Sequence, residues 1–329
     1  MLFLDDAAVR DLLSVEECIA TVEHAFRMYG EGNAPRPGVL TSHAARGAFH
    51  TKAGMLELRR PYFAVKTNAN FPGNVERYGL PTIQGVIALF DAERGTPLAI
   101  LDSREITSLR TGAATAVAAK YLARTDASVA TICGCGVQGR VQLAAVHAVR
   151  KLARVYAVDR NRENAVRFAR EMSNDLGIEV TVAPDLATAA RASDICVTCT
   201  PSREAILGAG DVGRGAFVAA VGADNADKQE LDPALLARSV VVVDILEQAA
   251  TSGDLHHAIA AGVMTRDDVR AELGEVVAGK KRGRLNDDEV VVFDSTGTAL
   301  QDVAAAVAVY EKALADPGLT ESITSSTSL

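Results

Sequence analysis

Residues 128–139 read Ser-Val-Ala-Thr-Ile-Cys-Gly-Cys-Gly-Val-Gln-Gly, a β-branched run that breaks into Gly134-x-Gly136-x-x-Gly139. Twenty residues past the last glycine a second apolar run, Val155-Tyr-Ala-Val158, ends on Asp159. A strand, a tight glycine turn, a helix and a second strand ending in an acid make one mononucleotide-binding unit. The glycines let backbone approach a pyrophosphate. The helix from Val137 points its free N–H groups and the positive end of its dipole at that anion. Asp159 is placed to accept hydrogen bonds from ribose hydroxyls.

The unit sits in a longer alternation. Strands are expected at 128–134, 154–159, 178–183, 194–199, 216–221, 240–244 and 290–293, and helices at 137–151, 162–176 and 185–192. Such alternation predicts a parallel sheet covered by helices on both faces, a Rossmann-type doubly wound α/β fold. Ligands of these sheets lie outside the carboxyl ends of the strands. Gly134–Gln138, Asp159, Thr200, Gly222–Asp224 and Asp294–Gly297 are therefore expected along one crevice. The front of the chain differs. Residues 5–31 read as a helix with a capping-box pattern, Ser14-x-x-Glu17. Residues 34–104 are rich in Gly, Pro and short strand-like runs, and Glu105–Arg124 is a long Ala-rich helix. A last helix is expected at Gln301–Ala315, with a frayed Ser/Thr-rich tail after it. These readings divide the chain into a smaller sheet-containing α+β domain, 1–118 plus 300–329, and a dinucleotide-binding domain, 119–299.

Composition narrows the function. The 329 residues are 48% hydrophobic, enough for two large cores, and the formal net charge of −8 with no long basic run argues against nucleic acid as a partner. No uninterrupted apolar stretch reaches the ~18 residues of a membrane span. Met1-Leu-Phe-Leu runs straight into Asp5-Asp6, unlike a secretory signal. The cysteines Cys18, Cys133, Cys135, Cys196 and Cys199 are odd in number and strand-like in setting, as expected of reduced thiols in a cytoplasm. Cys196-x-x-Cys199 has metal-like spacing, but it lies in an apolar strand with no further ligand cluster, so no metal site is expected.

An enzyme that moves a hydride must hold its substrate, polarise a C=N or C=O bond and move protons. Three residues offer these functions. Lys66 lies between apolar strand residues, where a lysine is costly to bury without a task; a snorkelling edge-strand lysine is the alternative. Arg110 lies near the start of a helix of small apolar residues and presents a planar fork to a carboxylate or a cofactor phosphate; an ordinary surface arginine is its alternative. Asp224 follows strand 216–221 directly, where it would face a nicotinamide or simply cap a loop.

Several separate segments together resemble the ornithine cyclodeaminase/μ-crystallin family. They are Lys66 with Phe71-Pro-Gly-Asn74, Gly79-Leu-Pro-Thr-Ile-Gln84, Leu101-Asp-x-x-Glu-Ile-Thr-x-x-Arg-Thr111, Gly134-x-Gly-x-Gln138, Val221-Gly-Ala-Asp-x-x-x-Lys-Gln-Glu-Leu231, Glu272-Leu-Gly-Glu-Val-Val-Ala-Gly-Lys280 and Phe293-x-Ser-x-Gly-x-Ala-x-Gln-Asp302. The resemblance implies a homodimer formed through the N-terminal domain, which also binds a small amino or imino acid, and a second domain holding NAD, with NADP the alternative. It implies Asp224 as the proton-transferring acid, and Arg36, Lys66 and Arg110 as the groups that hold the substrate carboxylate and polarise the reacting centre. Thr82, Val137, Gln138, Asp159, Thr200, Lys228 and Ser295 fall at the family's dinucleotide contacts, together with Gly134, Gly136, Arg160 and the strand end Val221, Gly222 and Ala223.

Members of the family divide into redox-neutral cyclodeaminases, amino-acid dehydrogenases or imine reductases, and ligand-binding crystallin-like proteins, and fold alone does not choose among them. A diamine substrate needs an acceptor for its distal ammonium. The ornithine-specific pattern has a glutamate where this chain has His50, and Lys52 shares a strand face with His50. A cationic lining favours a second carboxylate over a second ammonium, if Lys52 does not face solvent. The expectation is therefore a reductase of a small α-imino acid, with a dicarboxylic imine such as iminosuccinate as a candidate. Asp159 favours NAD, because a carboxylate repels a ribose 2′-phosphate, while Arg160 and Arg162 beside it offset part of that repulsion.

Overall fold

A computed structural model describes residues 1–316; the expected Ser/Thr-rich tail lies outside the described residues, apart from its first residue. The chain divides into two compact units, one made of Met1–Arg110 with the segment from Thr298 onward, the other of Thr111–Gly297. The boundary falls inside the helix Ser103–Leu122.

The first unit carries six strands, β1 (Leu2–Leu4), β2 (Gly38–Ala44), β3 (Gly47–Glu57), β4 (Pro61–Asn70), β5 (Ile83–Asp91) and β6 (Pro97–Asp102), in the order β1-β6-β5-β4-β3-β2. The pairings from β2 through β6 are antiparallel, and β1 adds to β6 in parallel. The helix Ala299–Ala315 packs against β3, β4 and β5 and against the helix Val15–Glu31. Gly54 permits this approach, since a Cβ there would stand 3.1 Å from the Ala299 side chain. Cross-strand register puts His50, Lys52, Lys66, Asn68 and Ile87 on one face and Leu40, Thr51, Thr67 and Val86 on the other. The expected helix 5–31 is two helices, Asp6–Leu12 and Val15–Glu31. Leu13 and Ser14 between them are extended, because Ser14 turns its hydroxyl to Glu17 N–H and receives the Glu17 carboxylate on its own N–H. The capping box thus starts the second helix rather than decorating a continuous one.

The second unit holds an eight-stranded parallel sheet. In chain order its strands are β7 (Val129–Cys133), β8 (Arg154–Val158), β9 (Glu179–Val182), β10 (Ile195–Thr198), β12 (Phe217–Ala220), β14 (Val240–Val243), β15 (Ala271–Glu272) and β16 (Val291–Asp294). A separate parallel pair, β11 (Arg203–Leu207) and β13 (Gln229–Leu231), flanks it. The spatial order is β15-β14-β16-β12-β10-β7-β8-β9. The chain winds outward from β7 through β8 to β9 and returns to β10 on the other side of β7. This reversal opens a crevice at the carboxyl ends of β7 and β10. Strands β10, β12 and β16 are buried throughout and apolar except for Thr198 and Asp294 at their carboxyl ends. Among the described residues no helix is long and apolar enough to cross a membrane.

Candidate active site

At the crevice of the second unit, Gly134 closes β7 with φ +103°, and a Cβ there would lie 2.9 Å from Cys199 O. Gly139 sits so close behind it that a Cβ would stand 2.1 Å from Gly134 O, whereas Gly136 faces open space. Gly136 is the N-cap of the helix Val137–Val149 and provides no side-chain cap. The first-turn N–H groups, at exposed Val137 and half-buried Gln138, therefore keep their affinity for an anion. Arg140 braces the turn from below, donating to the carbonyls of Cys135 and Gly136 and pairing with Glu171. Asp159 follows β8. One of its oxygens accepts from Cys135 N–H at 2.8 Å and the other from Asn161 N–H at 2.8 Å. Its carboxylate is fixed beside the glycine turn, with lone pairs left for a ribose. Arg160 beside it is exposed.

The remaining crevice residues hang from one buried carboxylate that sequence reading missed. Glu230 is wholly buried and accepts four hydrogen bonds, from Thr198 Oγ1, Thr200 N–H, Thr200 Oγ1 and Gly222 N–H. It ties the ends of β10 and β12 together, placing Thr200, Val221, Gly222 and Ala223. Burial pushes its carboxyl up, and these four donors work against that shift. Behind it, Asp254 accepts from Glu230 N–H and Leu231 N–H, and Asp294 accepts from Leu255 N–H. Burial, with Glu230 nearby, raises Asp254 to about 7. Burial and the neighbouring Asp254 raise Asp294 well above the carboxylate range. In the sequence Glu230 stands within the Val221–Leu231 segment with no role attached, and since two of its four partners are backbone N–H groups and the others are threonine hydroxyls 30 and 32 positions away, nothing local points to it. Ser295 is buried with its N–H on Ala220 O. Asp224 lies in the loop after β12, exposed, and pairs with Lys228 at 2.7 Å. The thiols of Cys133, Cys135, Cys196 and Cys199 are all pushed up by burial. Among the described residues no group of three or more His, Cys, Asp or Glu is placed to hold a metal.

In the first unit, the sheet face beneath the helix Ala299–Ala315 carries a cluster of charges. Lys66 is 2% exposed, and its Nζ lies 2.6 Å from Asp302 Oδ1. The same oxygen is 3.1 Å from Arg110 Nε, and Arg110 Nη1 donates to Gln301 Oε1 at 2.8 Å. The register pairs Lys52 with Lys66 across β3 and β4. Lys52 is 9% exposed, so it does not take the solvent-facing alternative. Burial lowers Lys66 to about 7, Arg110 and Lys52 push the same way, and Asp302 opposes them. Burial alone would raise Asp302, but Lys66, Arg110 and Lys52 outweigh it and hold its carboxyl below the usual range. The alternatives of a snorkelling Lys66 and a surface Arg110 are both removed by burial and pairing. His50 shares the face at the next register step, with Nδ1 3.2 Å from Thr41 Oγ1. Arg36 is exposed in the loop before β2, and Thr82 is half-buried before β5, its carbonyl accepting from Phe71 N–H. Among the described residues, Lys52, Lys66 and Arg110 gather around Asp302 in a dry site, a set of cations of the kind that holds an anionic ligand. Asp302 and Gln301 stand inside the segment Phe293–Asp302, but an acid in an Ala/Val-rich helix gave no hint of its partners.

With this geometry in hand, comparison with known proteins is informative. The model of the ornithine cyclodeaminase/mu-crystallin family matches residues 1–316. An archaeal alanine dehydrogenase, solved as a dimer with bound NAD, is 41% identical over 96% of both chains, with a TM-score of 0.92. The Δ1-pyrroline-2-carboxylate reductase of Thermococcus litoralis, solved with NADH and L-proline, is 37% identical, covering 96% of this chain and 98% of its own, with a TM-score of 0.91. The iminosuccinate reductase of Paracoccus denitrificans, solved with NAD+, is 31% identical, covering 97% and 98%, with a TM-score of 0.88. The chain belongs to the ornithine cyclodeaminase/mu-crystallin family.

Proposed function

We propose that this protein is an NAD(H)-dependent reductase that converts a small α-imino acid to an amino acid. The observation that carries this reading is the buried meeting of Lys66 and Arg110 on Asp302, on a sheet face shared with Lys52, because an ammonium and a guanidinium fork held together suit a carboxylate-bearing substrate. The names of the three similar proteins, all acting on amino or imino acids, support the same class. The glycine turn, the open Gly136 and the fixed Asp159 carboxylate fit a dinucleotide, with Asp159 favouring NAD over NADP. Bound NADH would supply the hydride for the imine carbon.

The chain's own residues do the rest. Arg110, aided by Arg36, holds the substrate carboxylate through a planar fork. Lys66 donates a hydrogen bond near the reacting centre and stabilises developing negative charge. Asp224 relays a proton directly or through water. Thr82, Gln138, Thr200, Lys228 and Ser295 complete the dinucleotide contacts. His50 and Lys52 set the side-chain preference: a cationic wall repels a distal ammonium, which weighs against an ornithine-type cyclodeaminase, and accepts a second carboxylate, as iminosuccinate carries. The protein works as a homodimer through the sheet face opposite the cluster, where Phe3, Leu40, Phe49, Met55 and Val86 are exposed together. A cytoplasmic setting fits the unpaired cysteines.

The test offers purified protein NADH or NADPH with pyruvate or oxaloacetate plus ammonia, or with a preformed cyclic ketimine, and follows the cofactor absorbance. Oxidation of NADH, faster with oxaloacetate plus ammonia, is the expected result. Ammonia release from ornithine without any change in that absorbance would replace this reading with the cyclodeaminase one.

A further inference from the structure

Asp302 has no role among the functions assigned so far, yet both candidate catalytic cations converge on it. It lies in the first turns of a helix whose N-cap, Thr298, is itself buried and accepts Leu300 N–H with its hydroxyl. That cap fixes the start of the helix, and with it the position of residues 301 and 302 over the sheet. Gln301 and Asp302 then reach the same arginine from adjacent positions, Gln301 through Nη1 and Asp302 through Nε. Asp302 Oδ1 meets Lys66 as well. Asp302 Oδ2 is buried and makes no hydrogen bond to the protein. Cys18 lies close to this carboxylate and to Arg110, but burial raises its thiol to about 12, so it stays neutral and adds no negative charge. The charged groups facing Lys66 are thus Arg110 and Lys52, which oppose its protonation, and Asp302, which favours it.

We propose that Asp302 is a positioning residue: a single carboxylate oxygen orients the Lys66 ammonium and the Arg110 guanidinium toward the substrate and keeps Lys66 protonated for the reaction. The inference rests on the reductase reading for its kinetic test, and a second measurement frees it from that dependence. Among the described residues, removing the carboxylate takes away the group in the cluster that favours a proton on Lys66. If Lys66 acts in its protonated form, activity falls as pH rises through its titration, and loss of Asp302 moves that fall to lower pH.

The experiment compares the wild type with Asp302→Asn and Asp302→Glu. In Asp302→Asn, kcat is expected to drop by about 100-fold with a smaller change in KM, the scale of a misplaced hydrogen-bond donor to developing charge. The alkaline limb of kcat/KM should move down by about one pH unit or more. Asp302→Glu keeps the charge but shifts the oxygen by one methylene. It should restore the limb toward its wild-type position while kcat stays low. Wild-type kcat in either variant, or a limb that does not move in Asp302→Asn, overturns the proposal, because a carboxylate that only stabilises the fold would lower thermal stability without changing the profile. Should Asp302→Asn not fold, the kcat of Asp302→Glu decides alone. If the wild type oxidises no NADH, the reductase reading fails, and calorimetric binding of malonate across pH replaces the kinetics. The alkaline loss of malonate affinity should then come at lower pH in Asp302→Asn than in the wild type, and coincident curves overturn the proposal.

Discussion

Each unit buries a charged cluster, and the two are built on opposite principles. In the parallel-sheet unit, Glu230, Asp254 and Asp294 are carboxylates met mainly by backbone N–H groups. They stitch loops together, and burial pushes the carboxyls of all three up. In the antiparallel-sheet unit, Lys66 and Arg110 meet Asp302 and Gln301 through side chains, with Lys52 opposite Lys66 in the register. The first cluster is organised by backbone and holds a shape, although Asp254 Oδ2 and Asp294 Oδ1 are buried without a hydrogen-bond partner among the described residues. The second gathers cations on one sheet face, where Lys66 and Arg110 share the Asp302 carboxylate. A buried ionisable group is therefore no marker of a reacting site by itself; the sign and chemistry of the groups around it matter as much.

The sharpest way to break this contrast is Lys66→Met. If Lys66 stabilises charge at the reacting centre, kcat should fall by about 1000-fold in the cofactor-oxidation assay, while NADH affinity by fluorescence stays near wild type. Next comes Asp159→Ala, which removes the proposed ribose acceptor. The NADH dissociation constant should rise by about 10- to 100-fold, the scale of one or two charge-assisted hydrogen bonds. Smaller effects appear in the pH dependence of stability, with opposite signs for the two clusters. Asp254 titrates near 7 in the fold, above its ordinary value, so between those values the folded chain holds the extra proton and stability falls as pH rises. Lys66 titrates near 7, below its ordinary value, so from there upward the unfolded chain holds the extra proton and stability rises with pH. Asp254→Asn should flatten the acid-side fall and Lys66→Met the alkaline rise, each by about 2–4 °C in Tm. Thermal scans in matched buffers check both; a variant that flattens the other limb reverses the assignment. Ser14→Ala removes the cap of the helix Val15–Glu31 and no ionisable group. It should lower Tm by about 3 °C, as the loss of an N-cap does, with both limbs unchanged.

The difference between the clusters also explains what could be read before the fold was known. The glycine turn, Asp159 and the β–α alternation are local patterns with fixed spacing, and they placed seven of the eight strands of the parallel sheet to within a residue or two; the two-residue β15 is too short to leave such a pattern. Lys66, Arg110 and Asp224 were legible as residues, through type and setting. That Lys66 and Arg110 meet on Asp302 was not, because the contact spans 236 positions for the lysine and depends on a helix returning to the first sheet. Glu230 was visible only as part of the Val221–Leu231 segment, and its role was hidden for another reason. Backbone N–H groups belong to every residue, so the sequence carries no trace of which carboxylate they will choose. The break at Leu13 was missed because the apolar spacing stays helical across it, while Ser14 has the capping power to begin a new helix.

The close packing of Gly139 on Gly134 O has an evolutionary corollary. Many dinucleotide folds accept alanine at the third fingerprint position, but a methyl group here would overlap a carbonyl oxygen at the core of the turn. Drift at this site is closed unless the turn itself moves. Descendants of this chain that carry alanine at residue 139 should therefore show a compensating shift in the Cys133–Cys135 backbone, and engineered cofactor switches are better sought at Asp159 and Arg160, where the surroundings are roomier.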